Sequence, residues 1–301
     1  MKRLYVIVGP TGVGKTEKTI ALARQLQVPV INADSRQIFR EIPIATAAPT
    51  AAQQQLARHY VVGSHSVTDY YSAAQYEAEV TALLERLFAD SDYALMSGGS
   101  MMYIDAVCKG IDDIPTIDDC TRQHMKRRLD TEGLDSLLSD LKRLDPEYYD
   151  IVDHHNTRRI VHALEICCMT GSTYTSFRTG NVKKRPFEIV KIGLDRPREE
   201  MYDRINARVL DMMNQGLEQE AASLRHLRHL NALNTVGMKE MFKYFDGEID
   251  RNEAIRQIQS NTRRYMRKQL TWFHRDTTIS WYHPDDDIPI GWRTANNRSA
   301  G

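Results

Sequence analysis

The first apolar run, "LYVIV" (Leu4–Val8), has no polar alternation, which is the mark of a strand buried on both faces. In "EKTIALARQLQ" the pattern changes, and Ile20, Ala23 and Leu26 recur at helical spacing. "VPVINADS" predicts a second buried strand ending at Asp34. "DYALMSGG" predicts another, broken by Gly98-Gly99, and "FEIVKIGLD" a further one. Buried strands separated by helices predict an α/β protein with a parallel sheet flanked by helices. Sites in such sheets gather at the carboxyl ends of the strands. Gly9–Thr16, Asp34 and Gly98–Ser100 all fall at such ends.

From about Pro115 the rhythm is different. "DDCTRQHMKRRLD" and "LDSLLSDLKRLDP" read as helices with basic surfaces, and "TRRIVHALEICCMTG" as a helix closed by Gly171. "STYTSFRTGNVKKRP" is polar and basic without a period and reads as a mobile loop. The expected organisation is a core of 1–115 and 185–301, with 116–184 as a helical insertion. Asp195 and Pro197 signal a helix start, and Arg204 and Arg208 share one face of that helix. "GLEQEAASLRHL" continues as helix, "EAIRQIQSNTRRYMRKQLTWFHR" forms a long one, and the chain after about Asp285 reads as a polar, frayed tail.

Composition narrows the class. The chain has 301 residues and a formal net charge of +0, so any nucleic-acid site must come from local clustering. The four cysteines, Cys108, Cys120, Cys167 and Cys168, form no CxxC pair and are expected to be buried, reduced thiols of a cytoplasmic protein. No zinc-ligand spacing occurs among the histidines, and His154-His155 reads as a loop or helix end. The first apolar run is the length of a buried strand rather than an export segment, and no stretch approaches a membrane span.

The chemistry begins with "GPTGVGKT": Gly9, Pro10, Thr11, Gly12, Val13, Gly14, Lys15 and Thr16. Glycines let backbone N–H groups approach phosphate oxygens, Lys15 brings charge, and the Thr16 hydroxyl suits Mg²⁺. The following helix adds its N-terminal field. A chance glycine turn would lack the flanking strand and helix. The expected fold is therefore P-loop NTPase-like, with a helical insertion domain. The motif alone suits ATP or another nucleotide as well as any diphosphate. No Asn-Lys-x-Asp selects guanine, and no clear Walker B aspartate appears. Asp34, in "NADSRQ", is placed either to hold a metal or to accept a proton, although an Asp-Ser pair is also an ordinary turn former.

The third feature is the terminal helix. Residues 251–275 carry seven arginines and lysines against the single carboxylate Glu253, with Tyr265, Trp272 and Phe273 interleaved. Phosphate contacts plus aromatic stacking suit RNA; a solvated face over a packed one is the plainer reading.

Taken in order, these blocks resemble the tRNA dimethylallyltransferase (tRNA isopentenyltransferase) family of bacterial type. The resemblance runs through "GPTGVGKT", "INADSRQIF", "SGGSMMYIDAVCKGIDDIP", "RRIVHALEICCMTG", "YDRINARVLDMM", "TVGMKE" and "TRRYMRKQLTWF", and spans most of the chain. It implies transfer of a dimethylallyl group from dimethylallyl diphosphate to N6 of adenosine 37 in tRNA, with Mg²⁺ as cofactor. By matching position, Asp34 would meet the amino group, Thr11 the bridging oxygen, and Lys15, Thr16 and Arg208 the diphosphate. Asp34, Ser35, Arg36, Gln37, Ser100, Arg158, Arg159, His162, Gly237, Lys239, Arg267, Lys268, Gln269 and Trp272 would meet the tRNA. The insertion would grip the anticodon stem-loop of tRNA, and the enzyme would act as a cytoplasmic monomer. The sequence departs from the family pattern at Ser100 (usually Thr), His162 (commonly Arg), Met238 (usually aromatic) and the reversed pair Arg267-Lys268.

Three other readings share parts of these features. An adenylate isopentenyltransferase acting on free AMP or ATP would keep the loop and Asp34 but needs neither the insertion nor the basic helix. A small-molecule P-loop kinase needs the loop alone. A noncatalytic RNA-binding protein switched by nucleotide would not depend on Asp34.

Overall fold

A computed structural model describes residues 1–290. Six parallel strands form one sheet: β1 (Arg3–Val8), β2 (Val30–Asn32), β3 (His59–Tyr60), β4 (Tyr93–Gly98), β5 (Glu188–Leu194) and β6 (Ser280–Tyr282). Their spatial order is β3-β2-β4-β1-β5-β6. β1 is central, pairing Leu4 with Ala94 on one side and with Ile189 on the other. Its side chains divide between two cores: Leu4, Val6 and Val8 point into one, Tyr5 and Ile7 into the other. This two-sided burial explains the unbroken apolar run.

The chain separates into two compact units, Met1–Cys108 with the chain from Lys184 onward, and Lys109–Lys183. The second unit thus begins seven residues ahead of the expected 116, because the Lys109 carbonyl already accepts a hydrogen bond from Lys183 N at 2.8 Å. Its helices are Asp119–Leu144, kinked at Gly133, with Pro146–Ile151, Thr157–Thr170 and Tyr174–Phe177. They enclose Met125, Leu137, Leu141, Ile160 and Leu164. Asp145, 1% exposed, accepts hydrogen bonds from Tyr148 N, Thr175 N and Thr175 Oγ1. Together with Asp112, which accepts from Thr179 Oγ1 and Gly180 N, it pins the segment expected to be a mobile loop.

Two further expectations are corrected. Cys108 and Cys167 are buried, but Cys120 and Cys168 are exposed, since they lie on the outer faces of their helices. Beyond Asp285, Ile288 and Ile290 are buried in the core on the Tyr5 side of the sheet, so the chain is packed at least that far. The rest of the expected polar tail lies outside the described residues.

The strand ends hold the loops tightly. A Cβ on Gly98 would stand 2.1 Å from the Ala33 carbonyl oxygen, so β2 and β4 can close together only over glycine. Gly98→Ala is expected to lower stability by about 1–3 kcal/mol, the usual cost of an overpacked site. Urea denaturation of the variant measures this.

Candidate active site

Three loops meet at the carboxyl ends of the neighbouring strands β2, β4 and β1. The Gly9–Gly14 loop follows β1 and opens directly into the helix Lys15–Leu26. Gly14 (φ 100°) precedes that helix with no side-chain cap, which leaves first-turn N–H groups for an anion. Gly12 has φ 86°, and a Cβ there would lie 2.9 Å from Ile205 Cγ1. Glycine at this position satisfies the left-handed backbone and the close approach of the helix Arg198–Asn214 together. That helix also braces the loop from outside, for Arg204 Nε donates to Gly12 O at 2.8 Å.

Lys15 Nζ donates to Gly9 O and Pro10 O, each at 2.8 Å, and is held over the loop. Burial pushes its ammonium down to about 7; Asp34 opposes that shift and Arg208 reinforces it. Arg208 is likewise lowered by burial and held up by Asp34. Lys15, Arg208 and Asp34 therefore form one electrostatic group at the base of the cleft. Arginine stays charged under these conditions, whereas lysine shifts readily when buried.

Asp34 Oδ1 accepts from Arg36 N at 2.9 Å and Gln37 N at 3.3 Å. The Asp-Ser turn is thus real, and it serves to orient the carboxylate. These bonds occupy Oδ1 and leave Oδ2 without a hydrogen-bond partner among the described residues.

The cleft encloses about 1230 Å³. Thr11, Lys15, Thr16, Asp34, Ser35, Arg36, Gln37 and Arg208 line it, together with Gly237, Lys239, Lys268 and Gln269. Gly9, Pro10 and Val13 are buried and support the loop from behind. Ser100 is buried beside the cleft, with its N–H on Ala33 O at 3.0 Å. Arg267 is exposed and donates to the Tyr202 hydroxyl at 2.8 Å; Trp272 is 42% exposed. Arg158, Arg159 and His162 belong to the second unit, on the helix Thr157–Thr170. The two arginines are exposed, and His162 stands 3.7 Å from Glu165.

Several residues expected to meet RNA also carry protein bonds. Arg36 Nη1 donates to Asn231 O and Ala232 O, and Gln37 Nε2 to Thr46 O and Ala47 O. Gln269 is 2% exposed, with both ends of its amide bonded within the protein, so the expectation that it meets RNA directly is corrected. The wall from Pro43 to Gln54 is an addition to the sequence reading. Its signals were Pro43 at a helix start and the Thr50–Gln53 capping box.

Thr16 is the residue at this cleft suited to Mg²⁺. A hydroxyl at the loop, a carboxylate across from it and a diphosphate are all hard oxygen donors, which fit that ion. No group of three or more His, Cys, Asp or Glu residues could hold a metal by itself among the described residues. A Mg²⁺ held mainly by water and substrate oxygens needs no such group.

Comparison with known proteins agrees with this geometry. The family model described as IPP transferase matches residues 37–276. A tRNA dimethylallyltransferase 1 of Phocaeicola vulgatus is 58% identical over 287 residues, covering 95% of this chain and 96% of the relative. The protein of the same name from Bacteroides fragilis is also 58% identical, over 289 residues and 96% of each chain. Among solved structures, the tRNA isopentenylpyrophosphate transferase of Bacillus halodurans is 32% identical, with a TM-score of 0.69, covering 96% of this chain and 92% of that one. A eukaryotic dimethylallyltransferase acting on tRNA, 23% identical with a TM-score of 0.77 over 91% of this chain and 70% of its own, shares the fold. Agreement of this kind along nearly the whole length establishes that the chain belongs to the IPP transferase family.

Proposed function

We propose that this protein transfers the dimethylallyl group of dimethylallyl diphosphate to N6 of adenosine 37 in tRNA and releases diphosphate. The observation that carries the proposal is the grouping of Lys15, Arg208 and Asp34 in one cleft, with cations for a leaving diphosphate and a carboxylate for the nucleophile.

In this reading the loop amides, Lys15 and Arg208 bind the diphosphate, and Thr11 addresses its bridging oxygen. Charge develops on that oxygen as the allylic carbon–oxygen bond breaks, and fixed donors are most effective where charge develops. The adenine leaves its stack to reach the recessed cleft. Its N6 forms the new bond to carbon, and its proton passes to the free side of Asp34. Thr16 would hold Mg²⁺, which would supply positive charge to the departing diphosphate.

Ser35, Lys239, Lys268, Arg267 and Trp272 face the anticodon loop, as do Arg158, Arg159 and His162, and the 116–184 insertion grips the anticodon stem. Gly237 lets the backbone approach the RNA, while Arg36, Gln37 and Ser100 shape the surface it meets. We place the enzyme in the cytoplasm, where its tRNA substrate is, and as a monomer. No helix among the described residues is long and apolar enough to cross a membrane.

Mass spectrometry of anticodon-loop nucleosides after incubation with dimethylallyl diphosphate, Mg²⁺ and unmodified tRNA tests the proposal. A dimethylallyl gain at position 37 is expected. Transfer to free AMP but not to tRNA would establish the adenylate enzyme, and transfer of the γ-phosphoryl of ATP to a metabolite would establish a kinase.

Charge on the terminal helix gives a second expectation. Arg267→Ala weakens tRNA binding and lowers the slope of log affinity against log salt by about 1, as for one lost phosphate contact. A filter-binding series across salt concentrations reads both values, and an unchanged slope assigns Arg267 to its contact with Tyr202 alone.

A further inference from the structure

Gln269 lies on the helix Arg251–Phe273, among residues that face outward: Arg267 and Trp272 are exposed, and Lys268 lines the cleft. Its own side chain turns inward. Gln269 Oε1 accepts from Thr11 N at 2.9 Å, and its Nε2 donates to Gly99 O at 2.9 Å. Neither partner can exchange roles, because a backbone N–H only donates and a carbonyl only accepts. The site therefore requires one donor and one acceptor a side-chain amide apart. Gly99 accommodates it, since a Cβ there would stand 2.3 Å from Gln269 Nε2.

We propose that Gln269 is a positioning residue for prenyl transfer: it fixes Thr11 of the phosphate loop against the Gly98–Ser100 turn. Through it the helix that presents cations and an aromatic ring to the RNA also sets the attitude of the diphosphate cradle. The inference rests on the prenyl-transfer reading for its catalytic consequence, but not for its effect on the cradle. Gln269 touches neither substrate; it acts through the main chain of Thr11.

Two variants of the full-length enzyme test it. Gln269→Leu keeps the bulk and removes both hydrogen bonds. Gln269→Glu offers two acceptors when ionised, and one of them faces the Gly99 carbonyl; when protonated, it restores the donor and acceptor of the amide. The readouts are thermal denaturation, kcat, the KM for tRNA, and the affinity for inorganic diphosphate.

Gln269→Leu is expected to lower kcat about 10²-fold and weaken diphosphate binding about 10-fold, with the KM for tRNA within about threefold of wild type. The activity of Gln269→Glu relative to wild type is expected to rise as the pH falls from 8 to 6, while that of Gln269→Leu stays flat. A Gln269→Leu enzyme with wild-type kcat and diphosphate affinity overturns the proposal. A loss confined to the KM for tRNA would make Gln269 an RNA contact and overturns it too. If both variants fail to fold, Gln269 is a structural brace only, and the proposal falls. Should wild type itself transfer no prenyl group, the diphosphate affinities still decide whether Gln269 sets the cradle, and the failure then belongs to the reaction assigned.

Discussion

Asp34→Asn transfers the dimethylallyl group about 10³-fold more slowly than wild type and binds tRNA with nearly unchanged affinity. Asparagine keeps a side-chain oxygen, so the turn that Oδ1 forms with Arg36 N and Gln37 N survives. What it loses is the charge and the ability to take a proton, and general base catalysis is worth about 10²–10⁴-fold. Asp34→Ala loses both the base and the turn. It is expected to abolish modification and to lower thermal stability, while RNA bound through the basic helix is largely retained. Single-turnover kinetics with saturating enzyme separate these effects. Full activity in Asp34→Asn would leave Asp34 a turn former and remove the base from the mechanism.

Diphosphate binding weakens as the pH rises through about 7, because the Lys15 ammonium of the unliganded protein loses its proton there. Burial is the first cause, and a bound anion reverses it by favouring the charged form. Binding at pH 8 therefore takes up a proton. Calorimetry in two buffers of different ionisation heat is expected to show nearly one more proton taken up by wild type than by Lys15→Met. The variant also loses roughly 10² in affinity, the scale of a lost charge-assisted contact. Equal proton uptake by the two proteins would mean that Lys15 is already charged before the ligand arrives. The same shift acts on folding. The folded value lies below the ordinary 10.5, so the unfolded chain binds the extra proton between the two values. The contribution of Lys15 to stability thus rises with pH from about 7 to 10.5 in the unliganded protein.

Strands β1, β4 and β5 were legible because they are long and apolar, and β2, of three residues, from the apolar run that holds it and from Asp34 at its end. β1 and β4 have six residues each and β5 has seven, and each is followed by a turn or loop with a definite signature. β3 and β6, of two and three residues, are too short to show any period; they exist because the sheet edges next to β2 and β5 offer backbone partners. The helix Ala73–Asp90 was not anticipated, although the capping box of Ser72 and Gln75 is a local signal that needs no tertiary contact. Among site residues, Lys15 and Thr16 follow from motif spacing, and Asp34 from its place at a strand end. The inward direction of Gln269 does not follow from its motif. One face of that helix meets the cleft loops, and only the fold reveals which residue faces Thr11. Arg36 was placed by its position in the motif, which does not show that its guanidinium also meets the backbone carbonyls of Asn231 and Ala232, far along the chain.

The pairing of β1 also governs when the protein can mature. Its neighbours β4 and β5 end at Gly98 and Leu194, so the central strand stays unpaired on one side until the second has been made. At synthesis rates of about 5–20 residues per second, that wait is roughly 10–40 s, during which an apolar strand edge needs shelter. The loop after β1 waits longer still. Its bond to Gln269 joins residues separated by most of the chain, and it forms only after the terminal helix has emerged. The cradle is thus completed long after its own residues are made.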